Sequence, residues 1–135
     1  MDVVERNLSD DGVFVLHTIG KNRTDTTPDP WIDKYIFPNG DLPSLVQIHN
    51  TTEGRFVTED VHNFGADYDR TLMAWHANFE AAWPRFRDTY GNRFYRMWRY
   101  YLLSCAGAFR ARDIQLWQFV FSRNGIPGGY QRPHY

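Results

Sequence analysis

The end of the chain sets the strongest constraint on its fold, because a helix rich in aromatic groups continues into a strand with almost no loop between them. The helical pattern covers about 93–112. Residues 114–122 form a dense run of aromatic and apolar side chains that is typical of a strand. This junction favours a fold that mixes helices with strands.

Two further strands are predicted upstream. The continuous apolar run 13–19 predicts a strand that is buried on both faces, as in a parallel sheet. Such a strand needs a neighbour on each side, and the rest of the chain can supply at most one, so we expect the missing strands before Met1. Residues 55–61 alternate well enough for another strand, which the turn at 63–65 closes.

Local signals predict where the helices begin and end. A short N-terminal helix should end at Gly12 in a left-handed conformation, and Ser44 should cap another short helix. Asp67 is the expected N-cap of a long amphipathic helix, with a kink near Pro84 and an end at Gly91. The aromatic-rich helix follows it.

Two segments carry the composition of connections rather than of core elements. Residues 21–43 are polar and rich in proline, but they include aromatic side chains, which predicts a lid-like insertion that packs down. Residues 124–135 contain repeated glycine and proline and are predicted to be a disordered tail. The remainder, 1–123, is expected to be part of one domain.

Composition narrows the classes of function. Cys105 is the single cysteine, which excludes an internal disulfide and suits a reducing cytoplasm. The longest nearly apolar run, 100–109, is far shorter than the ~20 residues that span a bilayer, so we expect any membrane contact to be peripheral. The acidic and basic residues divide unevenly, at −8 over 1–69 and +7 over 70–135. The basic part either contacts phosphates or is neutralised within the fold.

Two polar residues occupy positions where chemistry is common. His17 lies near the carboxyl end of the first strand, where open α/β sheets bind ligands, although a histidine there can simply be satisfied by backbone partners. Tyr68 opens the long helix and is either a packing residue or a functional hydroxyl. The histidines lack ligand spacing, so no metal site is predicted.

The aromatic-rich helix has two different faces. At 100° per residue, one side gathers the aromatic wall, which is either core or the lining of an apolar channel. The opposite side gathers the basic stripe, which is either a solvated or salt-bridged face or a phosphate-binding surface. Because the rings and the arginines lie apart, nucleic-acid binding is not predicted. The wall comprises Phe94, Trp98, Tyr101, Cys105 and Phe109, and the stripe comprises Arg93, Arg96, Arg99 and Arg110.

Four blocks of the sequence, 17–20, 29–40, 62–75 and 105–123, resemble consecutive blocks of the cyclopropane-fatty-acyl-phospholipid synthases, in order. The resemblance implies the C-terminal half of a class I S-adenosylmethionine-dependent methyltransferase fold, which is Rossmann-like and has its last strand antiparallel between two others. No cofactor-binding residue is assigned to this chain, because the glycine-rich turn that cradles S-adenosylmethionine is expected upstream.

The resemblance also implies a reaction and a set of site residues. In the family, a methyl group is transferred to a cis double bond of a phospholipid acyl chain, and the resulting carbocation closes to a ring when bicarbonate removes a proton. By motif, His17, Ile19 and Tyr68 correspond to bicarbonate ligands, with His17 and Tyr68 as the catalytic pair. An acyl pocket is implied at Leu72, Tyr101, Cys105 and Phe109, where Cys105 contributes shape rather than nucleophilicity.

Three interpretations follow from the sequence. The first is the C-terminal portion of such a synthase, inactive on its own, acting on unsaturated phospholipid from the inner face of the cell membrane. The second is a truncated lipid-binding or interaction module, and the third is a lipid C-methyltransferase that does not close a ring. Whether the full-length enzyme is a homodimer stays open.

Overall fold

The computed structural model describes residues 1–25 and 28–133, and these form two compact units. The first unit contains 1–25, 42–64 and 115–133, and the second contains 28–41 and 65–114. Thr26 and Thr27, within the predicted lid, and His134 and Tyr135, within the predicted tail, lie outside the described residues. That 1–123 belong to one catalytic domain stays a prediction.

A three-stranded sheet forms the centre of the first unit. Its strands are β1 (Val13–Lys21), β2 (Val57–Asn63) and β3 (Ile114–Ser122), in the order β1-β3-β2. β3 runs antiparallel to β2, with Val57 opposite Ser122 and a bulge between Thr58 and Asp60. The structure confirms all three predicted strands and puts the last one in the middle.

Aromatic packing on one face of β3 holds this sheet together. Trp117, Phe119 and Phe121 are buried with Ile48, and Phe14, Leu16 and Phe56 pack against them. The rings of Phe119 and Phe121 lie 5.6 Å apart and nearly parallel. Their period of two follows from the pleat of the strand, which turns alternate side chains to the same face.

The prediction that β1 is buried on both faces is wrong for the described structure. Val13 is 46% exposed and Val15 is 49% exposed, whereas Phe14 and Leu16 contact the core. Among the described residues, alternate side chains of β1 therefore lie on a covered face and on an open face of the sheet. A run of apolar residues did not distinguish this alternation from burial on both sides.

Two short helices belong to the first unit. They are α1 (Asp2–Asn7) and α3 (Leu45–Thr52). Ser44 caps α3 as predicted, and its hydroxyl and the Gln47 side chain form a reciprocal capping box. Gly12 was expected to be left-handed, but α1 ends at Leu8 in an extended conformation and Gly12 has no positive φ.

The described part of the tail has defined contacts, in contrast to the disorder expected from its composition. The Glu59 carboxylate accepts hydrogen bonds from the Ser122 hydroxyl at 2.6 Å and from the Ile126 backbone at 2.8 Å. The Arg132 guanidinium donates two hydrogen bonds to Asp60, at 2.9 and 2.6 Å. Two carboxylates of β2 therefore bind residues 122–132, a long-range pairing that composition does not reveal.

The second unit is helical. It contains α2 (Pro30–Tyr35), α4 (Gly65–Ala82), a 3₁₀ turn (Trp83–Arg85) and α5 (Arg87–Arg110). Gly91 has a left-handed φ of 70° and breaks α5, which agrees with the predicted helix end at this residue. The turn at Pro84 interrupts the helical run as predicted.

The start of α4 differs from the prediction. Asp67 is not an N-cap, because α4 begins two residues earlier, at Gly65, and Asp67 lies in its first turn. Two aromatic side chains of the predicted lid-like segment contact α5, while its role as a lid stays a prediction. Trp31 contacts Tyr100 at 4.5 Å between ring centroids, and Phe37 contacts Tyr101 at 6.0 Å.

Within the described residues, no helix has the length and apolar character needed to cross a membrane.

Candidate active site

The predicted site residues fall into two groups. His17 and Ile19 lie two residues apart on β1, in the first unit. Tyr68 and Leu72 on α4 lie in the second unit with the three pocket residues of α5, which are Tyr101, Cys105 and Phe109. The proposed bicarbonate set therefore draws on both units and stays a prediction.

The second group converges where α4 packs against α5. The rings of Tyr68 and Phe109 meet edge to face, with centroids 5.1 Å apart. Leu72 and Phe109 are almost fully buried, at 2% and 1% exposure. Burial raises the pKa of Tyr68 and Tyr101, with a smaller contribution from Cys105, which lies one helical turn after Tyr101 on α5. The structure thus brings Tyr68 against Phe109, while the acyl pocket that the resemblance implies stays a prediction.

The Cys105 thiol is held in its protonated form. Burial raises its pKa to about 11, and this effect exceeds that of the hydrogen bond with Ser104, which lowers it. At neutral pH the thiolate, which is the nucleophilic form, is therefore scarce. This environment suits a side chain that shapes a pocket and does not suit a nucleophile.

Tyr68 is a neutral hydroxyl in a half-buried position. Burial raises its pKa above the ordinary value for tyrosine, with a smaller contribution from Cys105. Its ring is fixed by edge-to-face contacts with Phe109 and, at 5.7 Å, with Trp75. Among the described residues its hydroxyl has no hydrogen-bond partner. It is therefore available as a donor to an anion.

His17 lies on the open face of β1, where its side chain is exposed. Its ring stacks on Phe64 at 6.3 Å with an interplanar angle of 10°. Within the described part of the chain, neither ring nitrogen has a hydrogen-bond partner. The described residues therefore do not support the alternative in which backbone groups accept or donate the hydrogen bonds of the His17 side chain.

Gly20 is a positioning residue that sequence reasoning missed. A methyl group on its Cα would lie 2.0 Å from Cζ3 of Trp117 and 2.7 Å from the Pro43 carbonyl oxygen. Only glycine permits this close approach, which packs β1 against Trp117 at the residue after Ile19. The sequence signal was present, since Gly20 closes the block that begins at His17.

A polar cluster between α4 and α5 was also missed. The Tyr95 hydroxyl donates to the Glu80 carboxylate at 2.8 Å, and this hydrogen bond is the main cause of its raised pKa. Nε of Arg99 lies 3.4 Å from the same carboxylate, and Nε2 of His76 lies 3.3 Å from it. Only the four-residue spacing of His76 and Glu80 on one helix could have indicated it.

The four arginines of the basic stripe divide into one pair with acidic partners and one pair without them among the described residues. Arg99 contacts Glu80, and Arg110 forms a two-pronged pair with Asp69, with distances of 2.9 and 3.0 Å. Arg93 and Arg96 have no acidic partner among the described residues. The salt-bridged interpretation thus holds for the first pair only.

Comparison with known proteins decides the family. The family model described as mycolic acid cyclopropane synthetase matches residues 1–119. The chain belongs to this family. It is 65% identical over 127 residues to the cyclopropane-fatty-acyl-phospholipid synthase of Escherichia coli (strain K12), covering 94% of the chain and 33% of that enzyme. The chain thus spans about a third of this relative.

Solved structures of the family share the fold. The cyclopropane synthase MmaA2 from Mycobacterium tuberculosis matches with a TM-score of 0.78 at 24% identity, over 89% of this chain and 47% of that one. The mycolic acid cyclopropane synthase CmaA1, complexed with SAH and CTAB, matches with a TM-score of 0.75 at 28% identity, over 87% and 46%. The predicted fold class, a C-terminal methyltransferase portion with an antiparallel last strand, is confirmed.

Proposed function

We propose that this chain forms the C-terminal part of the catalytic domain of a cyclopropane-fatty-acyl-phospholipid synthase. The observation that carries the proposal is its 65% identity to the Escherichia coli synthase across 94% of the chain. The convergence of Tyr68, Cys105 and Phe109 in one half-buried cluster supports it. The reaction converts a cis double bond of a phospholipid acyl chain into a cyclopropane ring.

In this proposal the second unit holds the reacting part of the acyl chain. Leu72 and Phe109 are almost fully buried apolar side chains, and the protonated Cys105 adds a small polarisable group without introducing a charge. The aromatic rings of Tyr68 and Tyr101, in the same unit, are proposed to stabilise a carbocation on the substrate through cation–π interaction.

His17, Ile19 and Tyr68 are proposed to hold bicarbonate. The hydrogen-bonding groups of the His17 and Tyr68 side chains lack partners among the described residues, which fits a role in binding an anion. When bound, S-adenosylmethionine supplies the methyl group and bicarbonate accepts the proton whose loss closes the ring. The task of Tyr68 is to donate a hydrogen bond, and its raised pKa keeps that proton in place at neutral pH.

The proposed cellular location follows from the proposed substrate. An enzyme that modifies acyl chains within a bilayer must meet the membrane surface, and we place it in the cytoplasm, in peripheral contact with the inner face of the cell membrane. The two other interpretations, a lipid-binding module without catalysis and a C-methyltransferase without ring closure, predict different products.

Product analysis with labelled cofactor tests the proposal. The complete protein is incubated with vesicles of cis-unsaturated phospholipid, bicarbonate and S-adenosylmethionine carrying a trideuterated methyl group. Ring closure retains two of the three deuterium atoms and gives a saturated acyl chain that resists mild hydrogenation. A product with all three deuterium atoms would assign the protein to open-chain methylation, and the absence of product would favour the binding module.

A further inference from the structure

A groove of about 400 Å³ lies along the first part of α5, within the second unit. Its lining combines aromatic rings and arginines in one place, although the helical wheel separates the aromatic wall from the basic stripe. The segment that contains α2 supplies the missing aromatic side. The lining residues are Trp31, Tyr35, Arg93, Arg96, Met97 and Tyr100.

The aromatic side of the groove is ordered and open to solvent. Trp31 contacts Tyr100 edge to face at 4.5 Å and Tyr35 at 5.5 Å. Tyr35 is nonetheless 39% exposed and Tyr100 is 54% exposed. Tryptophan and tyrosine, with an apolar ring and a polar tip, are the side chains that concentrate at the level of lipid head groups.

The two arginines of the groove have no acidic partner among the described residues. Arg93 and Arg96 are three residues apart on α5, so they emerge on the same face, and both are exposed. The structure describes no acidic partner for either of them, whereas Arg99 and Arg110 are paired with Glu80 and Asp69. A guanidinium fork matches two phosphate oxygens, and two adjacent forks favour an anion of that kind.

We propose that this groove binds the phosphate of an anionic phospholipid at the membrane surface, with its aromatic rings at head-group depth. The charge complementarity of Arg93 and Arg96 with a lipid phosphate carries the choice of occupant. This surface rests on the proposed function for its lipid class and deepens it by naming where the membrane is met. It also narrows the basic stripe to Arg93 and Arg96, because Arg99 is paired with Glu80.

Co-sedimentation of the complete protein with phosphatidylglycerol vesicles tests the groove. The test variant is Arg93→Gln with Arg96→Gln. The matched control, Arg99→Gln with Arg110→Gln, removes the same charge from the same helix. If each groove arginine contributes as a typical basic residue at an anionic surface, the test variant should bind roughly 30-fold more weakly. The control should lose less than about threefold, and phosphatidylcholine vesicles should bind all variants weakly.

Salt and competing anions separate the sources of phosphate. Binding of the wild type should fall as sodium chloride rises, because exposed charges are screened. Inorganic phosphate at matched ionic strength should release no more protein than chloride does. Release by phosphate alone would overturn the assignment in favour of a free-phosphate site.

Three results would contradict the proposal directly. They are equal losses in the test and control variants, unchanged binding of the test variant, and a change in its oligomeric state without a change in vesicle binding, which would assign the groove to protein association. Sedimentation needs no turnover. A wild type that binds vesicles through the groove but forms no cyclopropane would therefore overturn the proposed reaction and leave the groove standing.

Discussion

At the scale of single residues, burial sets the chemistry of the site more than charge does. Desolvation is the first cause of the raised pKa of Cys105, Tyr68 and Tyr101. All three groups are therefore neutral at physiological pH, in a place where the proposed reaction passes through a cation. Neutral neighbours do not act as the base, so in the proposed function the proton is left to the bicarbonate that Tyr68 helps to hold.

The reactivity of Cys105 should report this burial. Because its pKa is about 11 against an ordinary 9.0, its thiolate fraction near pH 8 should be roughly 100-fold below that of a free cysteine. Alkylation by iodoacetamide, followed by mass spectrometry of the peptide that contains Cys105, should be slow and should accelerate up to about pH 11. A reaction rate that is already maximal at pH 8 would contradict the described environment.

Substitution of Cys105 separates shape from chemistry. Cys105→Ala should retain a substantial part of the turnover, because it removes one sulfur atom and leaves a small cavity beside a flexible acyl chain. Cys105→Trp is the bulky counterpart and should block turnover while cofactor affinity is retained. Loss of all turnover in the alanine variant, with its circular dichroism spectrum unchanged, would give the thiol a chemical role.

At the scale of elements, the close approach at Gly20 holds the end of β1 against Trp117. Gly20→Ala should lower the stability of the first unit by about 1–3 kcal/mol, the usual cost of overpacking a core. Gly107→Ala is the matched control. Among the described residues, no atom beyond its chain neighbours and the backbone of its own helix lies within 4 Å of the added methyl group, and alanine favours the helix.

Urea denaturation of both variants provides the measurement. The midpoint should fall for Gly20→Ala and stay level or rise slightly for Gly107→Ala. Equal midpoints for the two variants would show that β1 can shift away from Trp117 at little cost.

The elements also show what the sequence could predict. Strand positions, the Ser44 cap and the breaks near Pro84 and Gly91 depend on local patterns, and the structure agrees with each. The open face of β1 depends on which elements pack against that face of the sheet, and this is not a local property.

The same contrast between local and long-range features applies to the candidate site residues. The four-block resemblance identified Tyr68 and Cys105 because motifs preserve order along the chain. The Glu80 cluster and the Arg110 pair link residues far apart in sequence, so periodicity could show a basic stripe but not which of its arginines were neutralised. Only the contacts in the structure show that Arg99 is paired with Glu80, whereas Arg93 and Arg96 have no acidic partner among the described residues.

At the scale of the whole molecule, the proposed site is divided between a sheet unit and a helical unit. The first offers His17 and Ile19 from one strand, and the second offers Tyr68 and the acyl pocket. In the proposed function, His17, Ile19 and Tyr68 serve one chemical step, the removal of a proton from the methylated substrate.

Single-turnover kinetics of the complete enzyme test this claim most directly. His17→Ala and Tyr68→Phe should each slow ring formation by at least about 10-fold, or 1.4 kcal/mol, and raise the bicarbonate concentration needed for the half-maximal rate. Affinity for S-adenosylmethionine should hardly change. The exposed pair His49→Ala and Tyr90→Phe should behave as the wild type. A loss confined to cofactor affinity, or a normal rate of ring formation in either site variant, would contradict the account.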